Sequence, residues 1–241
     1  MIGLIQSEMI DTELLNNIKN IYRKILHTAM KVDRNPEEIK LVAVTKTIDF
    51  KKIKEAIEFG LRILGESKVQ EAEKKIEECR VQCADCKVEW HLVGHLQKNK
   101  AKMAVQLFDL IHSLDSIALA NELNKYAEKV GKIQRVLIQV KLSEEEAKHG
   151  VSKGNLISLI DSVSKMKNLK LEGLMTMPPY FDDPEMARPF FRELRALKDE
   201  AVRSGYELPE LSMGMTHDFE IAIEEGTTMV RVGTGIFAYG S

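Results

Sequence analysis

Long hydrophobic runs are missing from this chain. No uncharged apolar stretch approaches the roughly 18 residues that a membrane-spanning helix needs, so no membrane partner is expected. An excess of one charge is missing too. The 35 Lys and Arg against 37 Asp and Glu leave a net charge of -2. Both signs are interspersed, which gives no global pull toward nucleic acid or acidic membranes. Cysteine is scarce: Cys79, Cys83 and Cys86 are the only three. An odd count beside eleven methionines suits a reducing compartment. Their spacing offers no fourth ligand for zinc, so no metal site is expected. The first fifteen residues carry Glu8, Asp11 and Glu13 and lack the basic start, apolar centre and cleavage site of a secretory signal. The cytoplasm is the expected location. No linker, low-complexity stretch or charge block divides the chain, which predicts a single domain over residues 1–241.

What is present is alternation. Leu14, Ile18, Ile21, Ile25 and Met30 repeat at helical spacing and predict an extra N-terminal helix over about 10–30. Strands are then expected at 39–46, 61–64, 89–94, 110–114, 135–140, 169–175, 210–213 and 229–232, separated by amphipathic segments. Gly60, Gly131, Gly205 and Gly226 close helices; Asp49, either Asp115 or Ser116, and Asp183 open them. Strand–helix alternation implies right-handed βαβ units and a parallel sheet. Eight such units favour an α/β fold closed as a (β/α)8 TIM barrel, with the last helix short or absent.

In such barrels the chemistry sits at the carboxyl ends of the strands. Strand one ends in Thr45-Lys46-Thr47. Strand two is followed by Gly65-Glu66-Ser67-Lys68, and strand three by Gly94-His95. Strand five leads to Lys148-His149-Gly150, strand six to Thr176-Met177-Pro178-Pro179. Strand seven gives Ser212-Met213-Gly214-Met215-Thr216 and strand eight Gly233-Thr234-Gly235. The loops after strands seven and eight often build a phosphate site, and here both carry hydroxyls and glycines. Read as an anion cradle, Ser212, Gly214, Gly233 and Thr234 supply donors; read otherwise, both are ordinary turns. Arg231 lies inside strand eight between two valines, where it either pairs with a wall carboxylate or points at a ligand above the barrel. Lys46 is either a solvated strand end or an amine placed to form an imine with an aldehyde. A phosphate cradle across the mouth favours the second. His91 and His95 lie on an extended segment, where helical His spacing for zinc does not apply. His217 reads as a cap or a solvated side chain.

Five ordered segments then carry a resemblance over about 8–240. They are Val42–Lys46, Gly65–Glu71, Trp90–Lys100, Leu211–Met215 and Met229–Thr234. Together they resemble the YggS/PROSC pyridoxal phosphate homeostasis proteins, whose fold is similar to the barrel domain of alanine racemase. The resemblance implies that Lys46 forms a Schiff base with pyridoxal 5'-phosphate (PLP). It also implies that Ser212, Met213, Gly214, Gly233 and Thr234 surround the phosphate and that Arg231 faces the pyridine nitrogen. Ser67 stands where the family usually has asparagine near the phenolic oxygen; the shorter side chain leaves room for a water. An arginine only donates hydrogen bonds, so it keeps the ring nitrogen unprotonated and the ring a poor carbanion sink. The second domain of alanine racemase, with its catalytic tyrosine, has no counterpart here. The expectation is a non-catalytic, monomeric PLP carrier that could serve PLP-dependent apoenzymes. A PLP-dependent amino-acid racemase and a cofactor-free phosphosugar enzyme using the same lysine are the competing readings.

Overall fold

The computed structural model describes residues 11–83, 86–143, 145 and 149–238. Helix α1 spans Thr12–Lys31, opened by Asp11, whose carboxylate accepts from the Leu14 N–H at 2.9 Å. Leu14, Ile18, Ile21 and Ile25 form its buried face. Each such side chain contributes about 1.5–3 kcal/mol relative to exposure.

The alternation follows. Strands β1 (Lys40–Val44), β2 (Ile63–Glu66), β3 (Glu89–Leu92), β4 (Leu110–Leu114) and β5 (Gln134–Lys141) are separated by α2 (Phe50–Glu58), α3 (Val69–Gln82), α4 (Ala101–Leu107) and α5 (Ile117–Lys129). A two-residue strand β6 (Val151–Ser152), not expected from the sequence, runs beside the end of β5 and leads into α6 (Lys153–Ser164). Strands β7 (Leu169–Met175), β8 (Glu210–Met215) and β9 (Met229–Val232) alternate with α7 (Arg188–Arg203), α8 (Phe219–Glu224) and the short α9 (Thr234–Phe237).

Neighbouring strands pair in parallel in the order β4-β3-β2-β1-β9-β8-β7-β5, and β4 also pairs with β5. The sheet is therefore a closed eight-stranded barrel, as the alternation implies. Closure leaves no free edge among these eight strands. Side chains split into two layers. Leu41 and Ala43 of β1 face the helices, whereas Val42 and Val44 face the barrel axis with Val93, Leu110, Leu137, Met175 and Met229. The axis is not wholly apolar: His91, His112, Ser212 and Arg231 are buried among the strands.

β1 and β3 each end two residues earlier than expected, at Val44 and Leu92, and two further shifts bear on the site. β2 begins two residues later than the sequence suggests and takes Gly65 and Glu66 into the strand. β8 runs on through Gly214 and Met215, two residues past its expected end, which places Ser212 and Met213 in its interior, fully buried. Lys148, expected after strand five, lies outside the described residues, as do residues 1–10 and 239–241.

Candidate functional site at the barrel mouth

The carboxyl ends of the strands enclose a cavity of about 400 Å³. Lys46, Ser67, Arg231, Gly233 and Thr234 line it, all five anticipated from sequence. Met177, Pro179, Tyr180 and Phe181 form an apolar wall on one side. A larger groove, about 610 Å³, lies between α2 and α3. Its lysines and glutamates offset one another, and no mouth residue named here except Glu71 and Lys75, which anchor the lysine turn from beneath, faces it.

Lys46 follows β1 by two residues and is exposed. The turn holding it is anchored on both sides. Thr47 sits in the left-handed region, φ 64°. Its N–H donates to Glu71 Oε1 at 2.6 Å. The Thr45 carbonyl accepts from Lys75 Nζ at 2.6 Å. Lys75 also meets Glu66 Oε1 and Glu71 Oε1, both at 2.8 Å. Glu66 is fully buried, takes a further bond from Thr45 Oγ1 at 2.5 Å, and leaves Oε2 without a partner among the described residues. Burial pushes the Glu66 carboxyl up, against the pull of Lys75 and Thr45. For Glu71, burial is opposed by Lys75 and the Thr47 N–H, which hold it below the ordinary range. The conspicuous Glu66 and Glu71 of the second expected segment thus act beneath the lysine turn, as anchors.

The expected cradle is partly corrected. Ser212 does not face the cavity. Its Oγ accepts from Arg231 Nη1 at 2.5 Å and lies 2.9 Å from His112 Nδ1, inside the barrel. Met213 packs in the outer core between β8 and the helices. Gly214, at φ +90°, is glycine because α8 presses on it: an added Cβ would stand 2.5 Å from Ala222 Cβ and 2.9 Å from Phe219 Cα. The extension of β8 carries all three below the mouth. The hydroxyl that does reach it is Thr216, which sequence reasoning left unassigned. Thr216 Oγ1 accepts from Thr234 Oγ1 at 3.1 Å and from the Gly235 N–H at 3.3 Å. Its signal was available: it follows Gly214 by two residues, in the loop next to the one that carries Thr234.

Arg231 makes no ion pair among the described residues, although Asp218 lies close enough to act on its charge. Burial pulls its guanidinium down to about 10, which leaves it charged at neutral pH. Nη2 donates to the Thr176 carbonyl at 2.9 Å. Asp218 instead anchors the β8–α8 turn by accepting from the Met215 N–H at 2.6 Å. His217 stacks against Tyr180 with centroids 5.6 Å apart.

Two other clusters are settled by geometry. His95, Asp115 and His149 gather at the rim with donor atoms within 4.8 Å. The two imidazoles are stacked, 3.6 Å apart and 8° from parallel, so no point lies in both ring planes where their lone pairs could share an ion. Cys79, Cys83 and Cys86 are free thiols, the first two buried.

A parallel barrel with an exposed lysine after its first strand, a buried arginine on its last and a hydroxyl cradle beside both is the barrel of the alanine racemase N-terminal type, and the family model with that description matches residues 16–241. Among curated relatives, a pyridoxal phosphate homeostasis protein of Aquifex aeolicus is 43% identical over 221 residues, covering 91% of this chain and 95% of the relative. One of the same description from Vibrio alginolyticus is 37% identical over 226 residues, covering 94% and 97%. The chain belongs to the pyridoxal phosphate homeostasis protein family. PipY of Synechococcus elongatus, solved with PLP bound, superposes with a TM-score of 0.82 at 32% identity, over 93% of this chain and all of that one. Alanine racemase of Clostridium difficile shares the fold alone, with a TM-score of 0.73 at 15% identity, and this chain spans 57% of its length. Among the described residues, no helix is long and apolar enough to cross a membrane.

Proposed function

We propose that this chain binds pyridoxal 5'-phosphate at the barrel mouth and holds it in reserve. The observation that carries the reading is that Lys46, Arg231 and Thr234 share one cavity with Thr216. The residues present fit the group. Thr216, Thr234 and the Gly235 N–H gather hydroxyl and amide groups suited to a phosphate. At Gly233 a Cβ would close on the Val44 carbonyl at 3.3 Å, so glycine keeps the floor of the cradle open. The apolar wall of Met177, Pro179, Tyr180 and Phe181 suits one face of an aromatic ring.

When bound, the group supplies an aldehyde that a primary amine captures reversibly. Lys46 provides the amine, and its anchored turn sets where that amine reaches. Ser67 stands beside Lys46, just past the neighbouring strand β2, with a side chain one atom shorter than the asparagine expected there. Arg231 donates toward the ring nitrogen and has no lone pair with which to accept. A nitrogen that accepts from arginine carries no proton, which weakens the ring as an electron sink. Retention without sustained turnover follows from that donor. The same reading makes the chain one domain over 1–241, a cytoplasmic monomer, able to release PLP to apoenzymes that need it. An amino-acid racemase is the second reading: it needs another acid–base group beside Lys46, and Tyr180 and His217 are side chains of that chemistry that share the cavity.

The test is spectroscopic. Protein incubated with PLP and freed of excess is expected to absorb in the near-visible. Borohydride reduction should fix one adduct on Lys46, located by peptide mass spectrometry, and Lys46→Ala should lose both signals. Sustained Lys46-dependent conversion of L- to D-alanine would overturn the carrier reading. An uncoloured wild type that takes up no PLP would overturn the binding reading itself.

A further inference from the structure

Arg231 does not stand alone beneath the mouth. It is the upper end of a buried polar column that crosses the barrel axis. Ser212 Oγ lies next, His112 Nδ1 is 2.9 Å from it, and His112 Nε2 is 3.0 Å from His91 Nδ1. His91 Nε2 then lies 3.2 Å from Glu89 Oε2, at the amino-terminal end of β3. Both imidazoles and Ser212 are fully buried, whereas the Glu89 side chain is about half exposed, at 49%. The column therefore starts in solvent at one end of the barrel and finishes at the cavity at the other.

We infer that Glu89, His91, His112 and Ser212 are positioning residues that hold Arg231 in a single orientation as a donor to whatever acceptor occupies the mouth.

The direction of every bond in the column is fixed by its two ends. Arginine can only donate, so Ser212 Oγ accepts from Nη1. Glu89 can only accept, because the bond from His91 and the Arg135 guanidinium 2.9 Å away hold its carboxyl down at about 2. His91 must then carry its proton on Nε2 and accept at Nδ1. His112 in turn donates from Nε2 and accepts at Nδ1, which takes the one proton of Ser212. Four hydrogen bonds point the same way, and both imidazoles are neutral. Any other tautomer sets proton against proton or lone pair against lone pair, and an orphaned buried group costs about 1–3 kcal/mol. Charge is also excluded from the middle. Burial lowers both histidines, Arg135 opposes a proton on either, and Arg231 opposes one on His112; Glu89 and Asp109 favour charge on His91 but do not outweigh its burial.

The consequence for Arg231 is geometric. Ser212 fixes one terminal nitrogen and the Thr176 carbonyl the other, at 2.9 Å. Two anchors define the guanidinium plane, and its remaining N–H groups are left for the cavity. The inference rests on the mouth being the PLP site only in naming the acceptor, a ring nitrogen.

Nitrogen-15 histidine spectra of the PLP-free protein test the column without any ligand. Two of the six imidazoles are expected as neutral Nε2–H forms that do not titrate between about pH 5 and 8. His91→Gln and His112→Gln assign them by loss of one signal each. If those variants do not fold, Ser212→Ala and Ser212→Thr make the assignment by the shift at His112. Either imidazole found as Nδ1–H, or titrating in that window, overturns the inference. The second arm is the PLP dissociation constant. Ser212→Ala should weaken binding about five- to tenfold, near the net worth of one hydrogen bond, and Ser212→Thr should restore it. Correct tautomers with unchanged affinity in Ser212→Ala overturn the positioning role. Failure of the wild type to bind PLP overturns the mouth reading and leaves the tautomer result standing.

Discussion

Replacing Lys75 by methionine keeps the length of the side chain and removes its charge. The ammonium makes three bonds, to the Thr45 carbonyl at 2.6 Å and to Glu66 and Glu71 at 2.8 Å each. Its side chain is 9% exposed and that of Glu66 not at all. Removing one partner of a buried pair leaves the other charge uncompensated and costs about 3–5 kcal/mol. Glu71 is 29% exposed and can regain water, so the lower end of that range, about 3 kcal/mol, applies. That is a large share of the roughly 5–15 kcal/mol of a typical domain, yet the variant should still fold. Urea unfolding at pH 7 measures it.

The loss also has a pH signature. Burial already raises the folded-state pKa of Glu66. A raised folded pKa favours the folded state below the unfolded value and loses that contribution as pH rises through the folded one. Without Lys75 the shift grows. The penalty should be greatest at neutral pH and shrink toward the ordinary carboxylate range, about pH 4. Adding Glu66→Gln to Lys75→Met should recover most of the loss at pH 7 and flatten its pH dependence. A loss below about 1 kcal/mol, the range of exposed pairs, would refute the reasoning. So would a penalty that does not change with pH.

Three further outcomes are expected. Gly214→Ala combines a left-handed backbone with a Cβ 2.5 Å from Ala222, and should lower stability in urea by about 2–4 kcal/mol. Glu89, held down to about 2 by His91 and Arg135, contributes stability above the ordinary carboxylate pKa that is lost as pH falls through about 2. Glu89→Gln should therefore flatten the acid limb of the stability curve; an unchanged limb in acid titration would exclude the assignment. Burial pushes the Cys79 thiol up to about 11 and raises Cys83 as well, so brief iodoacetamide treatment near pH 7.5 should label Cys86 alone, read by mass spectrometry.

The barrel was legible because its signals are local. Apolar runs of four to six residues between helical stripes mark the strands; Asp49 and Asp183 cap where expected, and of Asp115 and Ser116 it is Ser116 that caps, each accepting a backbone N–H of the turn it opens. Lys46, Ser67, Arg231, Gly233 and Thr234 were legible as residues just past or inside strand ends, and all reach the cavity. What failed was longer in range. Gly65 and Glu66 look like a loop, and nothing local says that a carboxylate there can stay buried; Lys75, a turn and a half along α3, makes it possible. Ser212 looks like a phosphate donor near the end of a strand of ordinary length. Its true partners, His112 and Arg231, meet it only through the curvature of the closed sheet. The pairing of His91 with His112 depends on the β3–β4 register, which no periodicity reveals.

Helix α1 bears on how the chain is made as well as on how it is held. Asn17 of α1 donates to the carbonyls of Ile236 and Ala238, and Arg34, just beyond it, to those of Ile223 and Thr227. These contacts, with the β1–β9 pairing of Lys40 beside Met229, form the seam at which the ring shuts. Everything on one side of the seam is translated long before the other side exists. At about 5–20 residues per second, β1 waits roughly 10–40 s on the ribosome for β9. During that interval one flank of β1 has unpaired amides and the apolar stripe of α1 lacks α8 and α9, against which most of it packs. The nascent chain is most exposed to wrong pairing at the strand that leads to its lysine, and the arrival of β9 ends that exposure.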